Sequence, residues 1–482
     1  MSDVEKSSPV EVLTAEPVSA PRRRETVLMI IGAVAVVVAL GVALAGFVLS
    51  RHGDGRMLGP SEAFPSAIAV PARPHAARRA ATVPAGGLVY GGLYLAGLGT
   101  GEVRAIDIRT GRSYWRYDRP GSVAESWTLD RVAGRLVMAW SKKGSNQVEM
   151  IDVRAGRIVW RQRSVAKLIK SPLDPVGLFV DPVTKVSAVV GPWWTVGLDG
   201  DTGRVRWKRR WTSDCKPFNF GSHGVTFDGK APAYAYAQAM VGVFVVEEAC
   251  GSDVGEVVGF DARTGADRWK ISVAEAARGM PSPPDVASDS DFTALGGLSD
   301  LDGRLLALGL RLTGADVALI DPTSGRVVAR WYTAGGYLNT PGKWSELTYG
   351  TGMQVGLCTT GGKQVLCADD PKKGKRLWRR PMPRGLEPHA PAVIDRGRVY
   401  LLTARHDNSD WQLIVTDLRT GKSLAHIPLP KPAGYRPPPN PPILPDDVPR
   451  WADGIIRTVT NGVIVTGDSE SRSGTVDLLI QQ

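Results

Sequence analysis

Cysteine and histidine are scarce in this 482-residue chain, which contains four Cys and six His. Four Cys cannot supply the dense disulfide framework of a small secreted scaffold. The His residues show neither the H-x-x-x-H nor the H-E-x-x-H spacing that directs two imidazoles to one metal ion, and no C-x-x-C-H string is present. These absences exclude disulfide-scaffold, multi-metal and c-type haem proteins.

Motifs for other common enzyme chemistries are also missing. No Ser or Cys motif identifies a nucleophile, and Gly97-Leu98-Gly99 follows a predicted strand without opening a helix, which excludes P-loop and Rossmann phosphate sites. His406 beside Asp407 has the composition of a general base, but without a nucleophile we interpret it as a solvated loop residue. The sequence therefore predicts no catalytic residue, no cofactor and no metal ligand.

One long apolar run is present near the N-terminus. Residues 27–49 carry no charge and consist mainly of Val, Ala, Leu and Ile. At ~1.5 Å per residue, a helix of this length crosses a hydrocarbon core of ~30 Å. Arg fills positions 22–24, whereas only Arg51 and Arg56 follow closely, so the positive-inside bias predicts a cytoplasmic N-terminus. We therefore predict a single-pass plasma-membrane protein whose bulk is extracytoplasmic.

A cleaved signal peptide is the alternative interpretation, because Ala43-Leu44-Ala45 matches a small-x-small cleavage site. We favour an uncleaved anchor, since the apolar run is longer than a usual signal-peptide core. Residues 1–26 have no periodic apolar pattern and predict a disordered cytoplasmic tail. The net charge of +11 favours anionic lipid or envelope polymer as a partner, and the anchor argues against nucleic acid.

Seven copies of one string organise the chain after residue 85. Each copy has an apolar run, an Asp, a Gly four residues later and, in six copies, a Trp soon after the Gly. The copies contain Asp107, Gly111 and Trp115; Asp152, Gly156 and Trp160; Asp199, Gly203 and Trp207; Asp261, Gly265 and Trp269; Asp321, Gly325 and Trp331; Asp370, Gly374 and Trp378; and Asp417 and Gly421.

We interpret each copy as a tight hairpin between two strands. Asp accepts hydrogen bonds from the backbone N–H groups of the turn, Gly supplies a positive φ, and Trp offers apolar surface to the neighbouring repeat. The flanking runs are rich in β-branched and aromatic residues, which favour strands. A repeat of 45 to 60 residues holds about four short antiparallel strands, and radial packing of such units forms a β-propeller.

The string A-x-D-x-x-T-G-x-x-x-W resembles the repeat of the pyrroloquinoline-quinone-like (PQQ-like) propeller family, over residues 85–482. That family includes quinoprotein dehydrogenases and the non-enzymatic lipoprotein scaffold of outer-membrane barrel assembly. The resemblance implies an all-β propeller and leaves both functions open. It implies the scaffold more than the dehydrogenases, whose usual marks include an adjacent Cys-Cys pair that this chain lacks.

The chain ends predict how the propeller closes. Three strand-like runs follow the seventh copy, so the last blade lacks one strand. We expect residues 67–70, within a linker spanning 50–84, to supply that strand. The prediction is a propeller of eight four-stranded blades over residues 85–482, with seven blades as the alternative.

One face of the propeller is expected to carry the variable loops, where binding on rigid scaffolds usually occurs. The Asp-to-Gly turns are uniformly short, whereas the connections between blades are long and lie on the opposite face. Loops between second and third strands add the paired Trp, the two adjacent Glu and the string from Arg405 to Trp411. For the paired Trp we favour hydrophobic loop anchoring over ligand stacking. The candidate ligand-face residues are Trp193, Trp194, Glu247, Glu248, Arg405, His406, Asp407 and Trp411.

An extracytoplasmic domain meets an oxidising compartment, so the four Cys predict two disulfides. If Gly362-Lys363 is a two-residue turn, Cys358 and Cys367 oppose each other across a hairpin. Cys215 and Cys250 are then left to pair with each other.

Basic residues concentrate on the Trp-bearing strands. They are Arg204, Arg206, Lys208, Arg209 and Arg210 in one repeat, and Arg376, Arg379 and Arg380 in another. A rim that binds an anionic polymer is one interpretation. We favour the other, in which these are exposed outer strands whose charge prevents edge-to-edge aggregation.

The sequence as a whole predicts a membrane-tethered, extracytoplasmic propeller that binds or scaffolds an envelope protein or anionic envelope polymer without catalysis. The alternative is an oxidoreductase that binds pyrroloquinoline quinone on the loop-rich face. A sensor ectodomain is disfavoured by the short cytoplasmic tail.

Overall fold

The computed structural model describes most of residues 55–482. The described ranges are 55–60, 62–84, 87–97, 100–142, 145–163, 165, 177–191, 193–212, 215–217, 237–240, 242–250, 253–278, 298–301, 305–309, 317–331, 348–350, 353–360, 363–370, 373, 375–388, 392–405, 410–430, 455–460, 462–468 and 475–482. The chain divides into two units, Met1–Gly55 and Arg56–Gln482. The predicted tail and membrane helix lie outside the described residues, within which no helix is long and apolar enough to cross a membrane.

The described residues of the second unit form strands apart from turns, connections and one short α-helix. The strands of its first half are β1 (Arg56–Leu58), β2 (Ala77–Pro84), β3 (Leu88–Tyr90), β4 (Leu93–Ala96), β5 (Glu102–Asp107), β6 (Ser113–Asp118), β7 (Val123–Asp130), β8 (Arg135–Lys142), β9 (Ser145–Asp152), β10 (Arg157–Gln162), β11 (Gly177–Asp181), β12 (Val186–Val190), β13 (Trp194–Asp199), β14 (Val205–Arg210), β15 (Cys215–Pro217), β16 (Ala237–Met240), β17 (Val243–Cys250), β18 (Asp253–Asp261) and β19 (Asp267–Ser272). Helix α1 (Val273–Ala277) follows directly.

The remaining strands complete the second half of the chain. They are β20 (Leu298–Leu301), β21 (Leu305–Gly309), β22 (Val317–Ile320), β23 (Val327–Trp331), β24 (Thr348–Gly350), β25 (Met353–Thr360), β26 (Lys363–Asp370), β27 (Lys375–Pro381), β28 (Leu386–Pro388), β29 (Val393–Asp395), β30 (Arg398–Arg405), β31 (Gln412–Asp417), β32 (Ser423–Pro428), β33 (Ile455–Thr460), β34 (Val463–Asp468) and β35 (Thr475–Gln481).

The described strands form eight antiparallel sheets, which confirms the all-β prediction. In chain order they are sheet 1 (β1 and β3–β6), sheet 2 (β7–β10), sheet 3 (β11–β14), sheet 4 (β15–β19), sheet 5 (β20–β23), sheet 6 (β24–β27), sheet 7 (β28–β32) and sheet 8 (β2 and β33–β35). The core consists of apolar clusters between successive sheets. Val148 and Trp160 of sheet 2, for example, pack with Val189 and Val196 of sheet 3.

The repeated Asp and Gly form the turn between the third and fourth strands of a sheet, as predicted. In sheet 3 the Asp199 N–H donates to the Arg204 carbonyl over 2.8 Å, and the Gly203 N–H donates to the Asp199 carbonyl over 2.7 Å. The Asp199 carboxylate accepts a hydrogen bond from the Thr202 N–H. Gly203 has a φ of +69°, which a residue with a side chain rarely adopts. The turn therefore needs both the repeated Asp and the repeated Gly of the string.

In five sheets the repeated Trp joins the sheet to a turn of the following repeat. The Trp160 indole N–H of sheet 2 donates to the Gly200 carbonyl of sheet 3, and the Trp207 indole of sheet 3 donates to Ala262 of sheet 4, each over 3.0 Å. A Cβ on Gly203 would lie only 2.6 Å from the Trp160 ring, so Gly also leaves room for the indole. The same donation is made by Trp115 to Val153, Trp269 to Pro322 and Trp378 to Leu418.

Sheet 8 is completed by a strand from the N-terminal side of the molecule. Strand β2 pairs antiparallel with β35, and within this pair Thr82 donates a hydrogen bond of 2.6 Å to the buried Asp477 carboxylate. The expectation that residues 67–70 supply this strand is wrong, because they lie outside any strand. The true strand was missed because its Arg- and Ala-rich sequence has low β propensity. Ile68 is instead buried in the apolar cluster that includes Val463.

Two further contacts fix the N-terminal segment. Strand β1 pairs with β6 and thereby adds a fifth strand to the outer edge of sheet 1. Beyond it, the Ser66 carbonyl accepts from Arg109 of sheet 1, and the Ile68 carbonyl accepts from Arg396 of sheet 7. The chain from β1 to β2 therefore contacts sheet 1 and sheet 7, and its last part, β2, is a strand of sheet 8.

The predicted disulfide between Cys358 and Cys367 is present, with the two Cα atoms 6.0 Å apart. The predicted turn was one residue late, because Thr360 pairs with Lys363 and Cys358 pairs with Val365. The cysteines are consequently diagonal neighbours rather than directly opposed, but the register difference of two residues keeps them on one face.

The second predicted disulfide concerns Cys215 and Cys250. The backbone register of β15 and β17 places these two residues directly opposite each other. Their side chains lie outside the described part of the structure, so this disulfide stays a prediction.

We expect Trp207→Ala to lower the free energy of unfolding by about 3–5 kcal/mol, because it leaves a cavity between sheets 3 and 4 and removes the bond to Ala262. Urea unfolding of the full-length chain in detergent, followed by circular dichroism, measures the change. Trp193→Ala is the matched control, since 40% of the Trp193 surface is already exposed. An equal effect of the two substitutions would contradict the proposed role of the indole.

Candidate functional site

Six of the eight candidate ligand-face residues are described by the structure, and they lie in three different sheets. Trp193 and Trp194 belong to sheet 3, Glu247 and Glu248 to sheet 4, and Arg405 and Trp411 to sheet 7. His406 and Asp407 lie outside the described residues. The structure therefore places the predicted candidates in separate groups on sheets 3, 4 and 7.

The paired Trp lie where β12 connects to β13 and differ in exposure. Trp193 is 40% exposed, and its carbonyl accepts a hydrogen bond of 3.0 Å from the Trp211 N–H. Trp194 begins β13 and is half-buried. Trp211 is buried and donates its indole N–H to Thr195 over 3.0 Å. The connection is thus held by backbone and indole bonds, which leaves the Trp193 surface partly open to solvent.

Two Arg side chains stack on these aromatic rings. The Arg210 guanidinium lies 5.8 Å from the centre of the Trp194 ring, and the Arg209 guanidinium lies 4.5 Å from that of Trp211. Such distances are within the range of cation–π attraction. We call Trp193, Trp194, Lys208 and Arg210 the sheet 3 surface, because Lys208 and Arg210 are exposed on the adjacent strand.

The cations of β14 differ in how they are compensated. Arg206 binds the Asp199 carboxylate over 2.9 Å. Burial alone would raise the pKa of Asp199, but hydrogen bonds from Arg206 and Thr202 outweigh it and lower that pKa to about 2. Lys208 and Arg210 have no carboxylate partner among the described residues. The sheet 3 surface is therefore cationic and aromatic at once.

The basic residues of β27 show a different arrangement. Arg376 binds Asp369 over 2.8 Å, and Arg380 donates to the Gly421 carbonyl of sheet 7 over 3.1 Å. Arg379 is exposed. This second basic strand is thus largely engaged in contacts within the protein.

Glu247 and Glu248 were expected on a loop, and this placement is wrong. Both residues are buried within strand β17. Glu248 forms ion pairs with Arg209 over 3.6 Å and with Lys270 over 3.5 Å, which links sheets 3 and 4. The apolar run before them continues into a longer strand than the sequence pattern indicated, because tertiary ion pairs stabilise its acidic end.

The Glu247 carboxyl is fully buried, and neither of its oxygens has a hydrogen-bond partner among the residues that the structure describes. Burial raises the pKa of this carboxyl well above its usual range. A buried charge without a partner is very costly, so burial favours the protonated form of Glu247 over the ionised one. The residue is accordingly part of the packing between sheets rather than of a solvent-accessible ligand face.

A second buried carboxylate, Glu149 in sheet 2, has hydrogen-bond donors and cations around it that compensate its charge. It accepts hydrogen bonds from Tyr117 over 2.6 Å and from Gln147 over 2.8 Å, and it forms ion pairs with Arg119 over 2.7 Å and Arg161 over 3.1 Å. Burial, followed by the Glu149 charge, raises the pKa of the Tyr117 hydroxyl. This network connects sheets 1 and 2. It was not predicted from the sequence, because its members are distributed over three strands and one connection.

Of the described sheet 7 candidates, Arg405 is exposed and Trp411 is buried. Arg405 ends β30 and pairs with Asp410 over 3.3 Å. Trp411 was expected on the ligand face, but it is buried in the core cluster with Leu413 and Ile427. Its carbonyl accepts a hydrogen bond from the Leu429 N–H, which fixes the entry into β31. Trp411 therefore anchors the loop and offers no ring face to a ligand.

No group of three His, Cys, Asp or Glu side chains within the described ranges has the arrangement needed to hold a metal ion. The exposed chemistry that the described candidates present is aromatic and cationic.

A family comparison identifies the class of protein. The model of the PQQ-like family described as outer membrane protein assembly factor BamB matches residues 99–289 and 253–436, which is more than half of the chain. The chain therefore belongs to this PQQ-like repeat family, as the sequence predicts. None of the curated proteins compared with the chain matches it.

Solved structures are similar at low identity. BamB from Moraxella catarrhalis is 15% identical, with 85% of this chain and 99% of that chain covered at a TM-score of 0.45. A quinohemoprotein alcohol dehydrogenase from Pseudomonas putida HK5 is 12% identical, with 84% and 76% covered at 0.45. Another from Comamonas testosteroni is 13% identical, with 88% and 76% covered at 0.43. Similarities at this level carry no information on activity.

We expect Glu247→Gln to stabilise the protein at pH 8 relative to the unchanged chain. The folded protein holds the Glu247 proton, so stability is complete below the unfolded pKa near 4.5 and decreases as the pH rises toward the raised folded pKa. The difference should grow by at most ~1.4 kcal/mol per pH unit between pH 5 and 8.

Thermal melts of the full-length protein from pH 5 to 8 measure this difference. Glu248→Gln is the control, because it removes the ion pairs with Arg209 and Lys270 and should lower Tm at pH 8. Identical pH profiles for Glu247→Gln and the unchanged chain would show that Glu247 is ionised in the folded state.

Proposed function

We propose that this protein is an eight-bladed β-propeller, tethered outside the plasma membrane by residues 27–49, that binds an envelope component without catalysing a reaction. Each of the eight sheets is one blade, and the pairing of β2 with β35 closes the ring. Membership of the BamB-described family and the long apolar run of the sequence support this proposal.

The observation that carries the binding role is the sheet 3 surface. Arg and Trp dominate the energetically important positions of protein interfaces, and exposed Trp is uncommon elsewhere on a protein. Trp193 is one of the few large apolar side chains with substantial exposure in the described part of the chain, and the next residue, Trp194, contacts Arg210, a cation that no described carboxylate neutralises. Such a surface favours a partner with negative charge.

The oxidoreductase alternative receives less support. The described carboxylates with unusual environments are taken up by packing or by ion pairs, as at Glu247, Glu248 and Glu149. None of these described carboxylates belongs to a group of three His, Cys, Asp or Glu side chains that could hold a metal ion.

Photo-crosslinking in the native membrane tests the binding role. A photoreactive amino acid at position 193 of the full-length protein should give a discrete adduct with another envelope component. The same amino acid in place of Arg263, an exposed residue of the Asp261–Gly265 turn, is the matched control. Absence of any adduct at position 193, or equal adducts at both positions, would contradict the proposed binding surface.

A thermal melt separates the binding module from the oxidoreductase. Ligand at 100 times its Kd stabilises a protein by about 2.7 kcal/mol, which moves Tm by a few degrees. We expect Ca²⁺ with pyrroloquinoline quinone to leave the Tm of the full-length protein unchanged. A rise in Tm that requires both components would contradict the non-catalytic proposal.

A further inference from the structure

Equivalent positions of three sheets differ in one charged pair. The residue five positions before the repeat Asp is Glu102 in sheet 1 and Glu256 in sheet 4, but Trp194 in sheet 3. In all three sheets the residue after the repeat Trp is a cation, namely Arg116 in sheet 1, Lys270 in sheet 4 and Lys208 in sheet 3.

The carboxylates neutralise these cations where they are present. Glu102 pairs with Arg116 over 3.2 Å, and Glu256 pairs with Lys270. In sheet 3 the indole of Trp194 takes the place of the carboxylate and lies against Arg210 instead. The outer strand of sheet 3 therefore retains the exposed charge of Lys208, which the carboxylate balances in the other two sheets, and adds the exposed charge of Arg210.

The edge of the same strand corresponds to an edge that this protein fills elsewhere. In sheet 1, β1 pairs with residues 116–118 of β6, so that Leu58 lies opposite Arg116 and Arg56 lies opposite Asp118. Counted from the repeat Trp, residues 208–210 of β14 are the equivalent positions. Strand β14 ends the order of sheet 3, and no strand of the described chain pairs with its outer edge.

The two edges begin with a cation, Arg116 or Lys208, and differ in the sign of the charge two residues later. In sheet 1 the register places the acidic residue Asp118 opposite the added basic residue Arg56, while the Asp118 carboxylate itself binds Arg116 over 2.6 Å. Arg210 occupies the position of Asp118 in sheet 3, so the complementary residue of an added strand is acidic. Lys208 lies two residues away on the same face, and it calls for a second acid at the same spacing.

We propose that an extended acidic segment of a partner protein pairs antiparallel with residues 208–210 and adds a fifth strand to sheet 3. Two carboxylates of that segment, two residues apart, lie opposite Arg210 and Lys208. This inference rests on the proposed binding function and names its partner chemistry. Trp194 holds the Arg210 guanidinium by cation–π attraction and keeps the strand free of an internal carboxylate.

A peptide fits this edge better than a lipid headgroup or an anionic polymer. The edge of a strand offers alternating N–H donors and carbonyl acceptors, and only another peptide backbone satisfies both. A phosphate or carboxylate polymer supplies acceptors alone. The backbone requirement therefore distinguishes strand addition from general attraction to negative charge.

Fluorescence anisotropy with a labelled nonapeptide in which Glu alternates with Val and Thr tests the proposal on the full-length protein in detergent. We expect saturable binding at low salt, and at least a tenfold weakening by Arg210→Glu or Lys208→Glu. Trp194→Glu should weaken binding similarly, because it recreates the internal pair of sheets 1 and 4. Arg204→Glu, an equal charge change at an exposed cation outside residues 208–210, should alter Kd less than twofold.

Two further probes test the backbone pairing. The same peptide with its Val residues N-methylated retains its charge but loses N–H donors, and it should bind at least tenfold more weakly. Vesicles containing 30% phosphatidylglycerol should bind independently of Arg210. No saturable peptide binding, an unchanged Kd after N-methylation, or equal effects of Arg204→Glu and Arg210→Glu would overturn the proposal.

The crosslinking experiment separates this inference from the binding function itself. If adducts at position 193 persist while the peptide fails to bind, strand addition at β14 is wrong and the binding role stands. If both experiments fail, the proposed function is contradicted as well.

Discussion

The contact between a Trp indole and the next sheet's Asp–Gly turn is the constraint on which the rest of the structure depends. The indole N–H satisfies a turn carbonyl, and the ring fills the space above a Gly that has no side chain. The three residue types are therefore coupled, since a Cβ at the Gly would displace the indole and a smaller residue at the Trp would leave a cavity. Repetition of this contact orders the sheets along the chain.

Because the contact uses few residues of each repeat, the other positions are free to differ. Sheet 2 uses this freedom for a buried network around Glu149, and sheet 4 uses it for an ion pair from Glu248 to sheet 3. Sheet 3 places Trp194 where two other sheets have Glu, and its outer strand keeps unbalanced cations. A uniform scaffold thus produces one surface with a chemistry that the equivalent positions of its neighbours do not share.

Local chemistry explains which features could be predicted. The turn needs a particular φ and a particular side-chain acceptor, so the string around Asp199 and Gly203 identified the hairpin directly. The strand β2 has no such signature, because its Arg- and Ala-rich sequence becomes a strand only through pairing with β35. Trp411 and Glu247 were misplaced for the same reason, since neighbouring sheets cover them and adjacent residues do not.

The sequence by itself determined the all-β repeat, the turns, the role of the repeated Trp and the pairing of Cys358 with Cys367. These features follow from residue types at fixed short spacings, where φ preference, side-chain size and hairpin geometry act locally. Only the tertiary structure decided the closing strand, the register at the disulfide and the burial of Glu247, Glu248 and Trp411. Those features depend on which sheet lies alongside, and packing between segments distant in the chain sets both burial and charge compensation.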